Sequence, residues 1–211
     1  VPSRTLPGWL EGEASLQDLG AQYAAPLLMN ALSKNTNTPT ILDGCAAPGG
    51  KLSHLNELLG NTFTSYKLIA VEKDKKRLAV TRDLVARSQQ GEIENILFIE
   101  ADSTEPTQQL QFKCDAIMVD APCSGSGTIR RNPDIRILFD PIELQSKSKF
   151  QLRLLRNLWR SLRSGGNLLY VTCSIFNEEN DLVVEQFLSE QADAIFENID
   201  LPLGRAPKFG W

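Results

Sequence analysis

A single histidine, His54, stands among the 211 residues, which excludes any mechanism built on several imidazoles. It reads as a helix-surface or packing residue. Cysteine is sparse as well. The four, at positions 45, 114, 123 and 173, lack the density of a disulfide scaffold and the C-x-x-C spacing of a zinc site. A reducing, cytoplasmic setting without a metal is therefore expected. No apolar run approaches the ~20 residues of a membrane helix. The nearest candidate, around 24–32, is broken by Pro26 and Asn30. No basic-then-apolar leader and no membrane partner are expected. A strong excess of one charge sign is also missing, since 22 Lys+Arg face 26 Asp+Glu for a net charge of −4.

What is present suits a globular domain. Apolar residues make up 42% of the chain, enough to rule out a disordered or collagen-like polymer. The length fits one sizeable domain, or one domain with a short extension. Charge is unevenly placed. Residues 128–165 carry nine basic and three acidic side chains, whereas 178–200 carry eight acids and no base. Charge runs of this kind are usually solvated helix faces, although the basic one would also suit phosphates.

Strand-like and helix-like patterns alternate. Pro39–Asp43, Lys67–Glu72, Asn95–Glu100, Ala116–Asp120 and Asn167–Thr172 are rich in Ile, Leu and Val, as strands buried on both faces are. Helical patterns fall at 50–59, 74–90, 141–164 and 178–191, with an earlier one near 15–33. Asp74 suits a helix N-cap, and Gly165-Gly166 is expected to end the long basic helix. This order predicts an α/β fold with a doubly wound, mostly parallel, Rossmann-like sheet. Residues 1–38 are expected to form a helical extension packed on a catalytic domain covering 39–211.

In an open α/β sheet, ligands bind beyond the carboxyl ends of the strands. Each unusual cluster lies at such an end. Strand one is followed by Cys45-Ala46-Ala47-Pro48-Gly49-Gly50-Lys51, whose small residues allow close backbone approach and whose following helix offers its positive end. This is neither the dinucleotide fingerprint nor the phosphate loop of nucleoside triphosphatases. Glu72 ends strand two and is placed to accept from ribose hydroxyls, while Asp102 and Asp120 follow strands three and four. Singly, each acid is most often a cap or turn residue. Together they suit an adenosine with a short zwitterionic tail, the shape of S-adenosylmethionine. Cys123 and Cys173 lie 50 residues apart, each in a polar loop after strands expected to be neighbours. Two thiols would then share one side of a pocket. One would need activation by Lys51, a substrate proton acceptor or a helix N-terminus. Cys114, and by the same reading Cys45, suits a small buried hydrophobe.

The segments CAAPGGK, DAPCSGSGTIRRNPDI and YVTCSIFNEEN, with the opening LPGWLEGEASLQDLGAQ, resemble the RNA cytosine carbon-5 methyltransferases of the Nop/Sun group. Within it, the chain is most similar to the bacterial 16S ribosomal RNA methyltransferase B type. The resemblance covers essentially the whole chain and implies a class I S-adenosylmethionine-dependent methyltransferase fold. It implies that Cys45 to Lys51, Glu72, Asp102 and Asp120 bind S-adenosylmethionine. It further implies that Cys173 attacks carbon 6 of cytosine and that Cys123 helps to eliminate the enzyme. Asp120 would also contact the ring near its third nitrogen and amino group. Arg130, Arg131 and Arg136 would meet RNA phosphates, with small-subunit ribosomal RNA as the partner of a monomeric enzyme. Three positions depart from the family's pattern: Glu72 stands where Asp is common, Leu52 where Thr is, and Ile137 where Trp is. The chain stops at Lys208-Phe209-Gly210-Trp211, so the family's closing DGFF-type strand and its helical N-terminal RNA-binding domain are expected to be missing.

Five other readings compete. An amino-group methyltransferase would be expected to show an aromatic N-P-P-Y-type loop after strand four, where this chain has Asp120-Ala121-Pro122-Cys123. A DNA cytosine methyltransferase would use Cys123 as nucleophile and leave Cys173 without a role. A non-catalytic RNA-binding or ribosome-assembly factor would not need both cysteines and Asp120. A methyltransferase acting on another RNA such as tRNA would share every motif. A nicotinamide oxidoreductase would need the glycine fingerprint that is lacking.

Overall fold

A computed structural model of the chain describes residues 5–32, 36–88 and 93–199. Five strands form one sheet: β1 (Thr40–Asp43), β2 (Lys67–Glu72), β3 (Ile96–Glu100), β4 (Cys114–Asp120) and β5 (Leu162–Val171). Their order is β3-β2-β1-β4-β5 and every pairing is parallel. The chain thus builds outward from β1 on one side and then on the other. The crevice between the carboxyl ends of β1 and β4 is the switch point at which such sheets bind ligands.

Both faces of the sheet are covered, which explains the unbroken aliphatic character of the strands. Side chains alternate between faces along each strand. Ile41, Leu68 and Met118 pack with Leu28 of α1 (Ala24–Ala31) and with Leu52, Leu55 and Leu59 of α2 (Gly50–Thr62). Their neighbours Leu42, Ile69 and Ile117 face the other way, onto Leu152, Leu155 and Leu158 of α5 (Pro141–Trp159). Phe187 of α6 (Asp181–Glu190) completes that second cluster. A short α4 (Ile135–Leu138) precedes α5.

The helix ends obey local chemistry. The Asp74 carboxylate accepts from Arg77 N–H at 2.9 Å, capping α3 (Lys75–Ser88) as its sequence position predicts. Asp140 accepts from Ile142 N–H at 2.8 Å to cap α5, with Pro141 at the first helical position. The early helical pattern near 15–33 yields a shorter helix, α1, after a 3-10 turn at Ala21–Tyr23; Pro26 lies in its first turn, where its missing N–H costs nothing. Residue 33 lies outside the described residues, as do 89 and 90 at the end of the expected third helix.

One expectation is corrected. Gly165-Gly166 does not end the long helix, because α5 stops at Trp159 and both glycines belong to β5. Just past the helix, the Ser161 carbonyl accepts from Cys114 N–H of β4 and its hydroxyl donates to Leu110 O in the turn before that strand. The glycines form an irregularity in the ladder. Leu162 pairs with Cys114 and Asn167 with Ala116, so residues 163–166 pass opposite Asp115 alone. Gly165 takes φ +75°, and a Cβ on Gly166 would lie 2.9 Å from Asp115 O. That conformation and that approach both demand glycine.

Candidate active site

A cavity of about 240 Å³ opens at the carboxyl edge of the sheet. Glu72, Asp102, Asp120 and Cys173, one from the end of each of four strands, line it together with Gly44, Cys45, Ala47 and Cys123. The sequence-expected residues therefore converge. Ala46, Pro48, Gly49 and Gly50 do not line the cavity; they shape the turn that bounds it. Ala46 N–H donates to Val71 O at 2.9 Å. Gly49 adopts φ +108° as the N-cap of α2, a conformation open to glycine at little cost.

Asp43 anchors this turn from below. It is buried and accepts from Cys45 N–H at 3.2 Å. Burial, reinforced by the charge of Asp120, pushes its carboxyl up to about 7. Burial likewise pushes the Cys45 and Cys114 thiols up, which makes both inert hydrophobes at neutral pH.

Glu72 is buried at the end of β2, where its Oε1 accepts from Asp74 N–H at 2.9 Å and its Oε2 lies 3.5 Å from the Arg77 guanidinium. Asp102 accepts from the N–H and the hydroxyl of Thr104. Burial opposes its charge, but the Thr104 bonds outweigh it and hold the carboxyl below the usual value. The far wall comes from α5 through Phe150 and Leu154. The Phe150 ring is flanked by Lys73 Nζ at 5.2 Å and the Arg153 guanidinium at 5.9 Å. Nothing in the sequence marks this wall, because Phe150 is a lone aromatic in a long basic helix.

Two pairs define the other end. Lys51 Nζ lies 2.6 Å from Asp120 Oδ2, which carries the lysine's influence to a cavity it does not itself line. The Sγ atoms of Cys123 and Cys173 are 3.2 Å apart. Gly127 N–H donates to Cys173 O at 2.9 Å and ties the two loops together. The hydrogen bond from Cys123 lowers the Cys173 thiol to about 7; burial and Asp120 oppose this, and the Lys51 ammonium assists. The same contact, with burial, pushes Cys123 up. The contact favours the anion on Cys173, the more exposed of the two and the one that the Lys51 charge assists.

Arg130, Arg131 and Arg136 are exposed and do not line the cavity, although the Arg131 charge reaches Cys173. Arg131 pairs with Asp18 of the N-terminal segment. Several of the other basic side chains are similarly engaged: Lys147 with Glu143, Arg156 with Glu190 and Arg163 with Asp115. That is the behaviour of a solvated face. Among the described residues no group of three or more His, Cys, Asp or Glu is arranged to hold a metal ion, and no helix is long and apolar enough to cross a membrane.

The sequence profile of the 16S rRNA methyltransferase RsmB/F family matches residues 29–210. The chain belongs to that family. It is 40% identical over 208 residues to the ribosomal RNA small subunit methyltransferase B of Shewanella oneidensis, covering 98% of this chain and 45% of that one. Over 185 residues it is 40% identical to the probable ribosomal RNA small subunit methyltransferase B of Coxiella burnetii, covering 87% and 41%. The chain thus spans less than half the length of these curated relatives. Among solved structures, NSun6 from Pyrococcus horikoshii with SFG superposes with a TM-score of 0.80 at 26% identity, covering 98% of this chain and 50% of that one. A methyltransferase homologue from the same organism gives a TM-score of 0.71 at 30% identity, covering 88% and 54%. The fold is that of the class I S-adenosylmethionine-dependent methyltransferases, as the motifs imply.

Proposed function

We propose that this RsmB/F-family chain transfers a methyl group from S-adenosylmethionine to carbon 5 of a cytosine in RNA, with small-subunit ribosomal RNA as substrate. The carrying observation is the pair of thiols 3.2 Å apart on the wall of a cavity lined by strand-end carboxylates. The donor set fits S-adenosylmethionine: Glu72 and Asp102 offer acceptors for hydroxyl and amino groups, and Phe150 and Leu154 an apolar wall. When bound, that cofactor supplies an electrophilic methyl group.

The remaining chemistry belongs to the chain. Carbon 5 of cytosine is a weak nucleophile until a thiolate adds at carbon 6 and makes the ring enamine-like. Cys173, lowered to about 7, provides that thiolate at neutral pH. Asp120, paired with the Lys51 ammonium, is placed at the ring edge, where a proton passed from Lys51 through the Asp120 carboxyl to the third ring nitrogen would neutralise the negative charge that thiolate addition creates. After methyl transfer the proton on carbon 5 must leave before Cys173 can depart. Once Cys173 is bonded to carbon 6 it no longer carries the negative charge that holds the proton on Cys123. Cys123 can then lose that proton to water and, as the adjacent thiolate, take the carbon-5 proton while the bond between carbon 6 and Cys173 breaks. The target base reaches the thiols only when it is unpaired or flipped out.

The test is methylation of unmodified small-subunit ribosomal RNA with labelled S-adenosylmethionine, followed by nucleoside analysis. Label in 5-methylcytosine is expected. Label on another base or atom, or none from a chain that binds the cofactor, overturns the reading.

A further inference from the structure

Glu179 is wholly buried in the turn that precedes α6, and the chemistry above does not use it. Among the described residues no Lys or Arg forms an ion pair with it. Its carboxylate is spent on the Cys123 loop. Oε1 accepts from Ser124 N–H at 2.8 Å, Oε2 from the Ser124 hydroxyl at 2.5 Å, and Gln151 Nε2 donates to Oε1 at 3.1 Å. Gln151, also buried, donates to Pro122 O at 3.0 Å as well, so Glu179 and its partner hold both neighbours of Cys123.

The next residue grips the other loop. Asn180 Nδ2 donates to Ser174 O at 3.0 Å, and Asn180 Oδ1 accepts from the Thr172 hydroxyl at 2.6 Å. Thr172 and Ser174 flank Cys173. Between the loops, the hydroxyls of Ser124, Ser126 and Ser174 lie 3.1–3.2 Å from one another. Two consecutive side chains therefore hold the two thiol-bearing loops, one each. A carboxylate buried without a cation is costly unless its hydrogen bonds are complete. A packing role alone would be served as well by an apolar side chain.

We propose that Glu179 and Asn180 are positioning residues that clamp the two thiol-bearing loops and so set the 3.2 Å separation of Cys123 and Cys173. The charged and titratable groups acting on Cys173 are Cys123, Asp120, Lys51 and the Arg131 guanidinium, and the clamp governs only the first. The inference rests on the reading of Cys173 as the attacking thiol, but its deciding readout, the alkylation profile, needs neither RNA nor cofactor.

The experiment is iodoacetamide alkylation of Cys173 against pH, read by peptide mass spectrometry on the whole chain. In Glu179→Gln the side chain loses its charge and one carboxylate oxygen is replaced by an NH2 group, so only one of the two Ser124 donors keeps an acceptor. The clamp then loosens, and Cys173 titrates nearer the ordinary thiol value of about 8.5. Alkylation at pH 7 should fall by roughly tenfold, while S-adenosylmethionine affinity stays within about twofold, as expected where no cavity-lining residue changes. Glu178→Gln, an exposed neighbour, should leave the profile unchanged. A folded Glu179→Gln with the wild-type profile overturns the proposal. Should that variant not fold, Ser124→Ala removes one of the two loop bonds at little steric cost, and an unmoved profile there overturns it equally. A shifted profile in a protein that methylates no cytosine would refute the function proposed above and leave the clamp standing.

Discussion

The Sγ atoms of Cys123 and Cys173 sit 3.2 Å apart although 50 residues separate them, and only Cys173 is lowered, to about 7. The sign of the pH dependence follows. Thiolate is the reactive form and is the deprotonated one, so single-turnover methylation should rise from pH 6 to pH 8 and then level. With a midpoint near 7, the rise is about tenfold. Lys51→Met removes an assisting positive charge and should move that midpoint upward. A profile flat across this range would show that Cys173 deprotonation does not limit the reaction.

Glu72 is the acid expected to hold ribose hydroxyls, and its burial makes each bond to it count. Glu72→Ala should weaken S-adenosylmethionine binding by roughly 1.5–3 kcal/mol, the range for hydrogen bonds to a charged group. Because Oε1 also accepts from Asp74 N–H, Glu72→Gln is the better control for the α3 cap. Calorimetry showing wild-type affinity in a folded Glu72→Ala protein would remove Glu72 from the ligand site.

Asp43 makes a prediction about stability. Its carboxyl is raised from 3.8 to about 7 by burial and by Asp120. For an acid raised in the folded state, the native protein binds the extra proton between these values. Stability should therefore fall as pH rises from about 4 to about 7 and change little beyond, a loss of at most about 4 kcal/mol. Asp43→Asn removes the titration and keeps an acceptor for Cys45 N–H. Urea midpoints should favour the variant increasingly from pH 5 to pH 7.5. An equal difference at both pH values would place the titration elsewhere.

The sheet was readable because its strands are buried on both faces, leaving aliphatic runs that the β2 limits match residue for residue. The strand-end acids and the two thiol loops were readable because each follows such a run. The end of α5 was not. Gly165-Gly166 looks like a helix stop, and only the pairing of β4 with β5 reveals it as a bulge. Glu179 escaped for a different reason: in the sequence it belongs to an acidic run that usually lies in solvent. Its partners Ser124 and Gln151 are 55 and 28 positions away, so nothing local marks it as buried. Phe150 gave no signal either, since a lone aromatic on an amphipathic helix points most often to core.

The division of labour between the two thiols can be separated outright. With Cys173 as nucleophile, Cys173→Ala should abolish both methylation and any covalent RNA complex. Cys123→Ala removes the partner that lowers Cys173, so adduct formation should slow at neutral pH and recover as pH rises. Once formed and methylated, that adduct lacks the group that assists elimination. It should persist as a protein–RNA band that survives denaturing electrophoresis. The double variant should match Cys173→Ala, because no adduct accumulates where none forms. Trapping in Cys173→Ala and none in Cys123→Ala would reverse the roles. Methylation retained in both, with trapping in neither, would end covalent catalysis as the mechanism, since no thiol beside the cavity would then be needed to activate carbon 5.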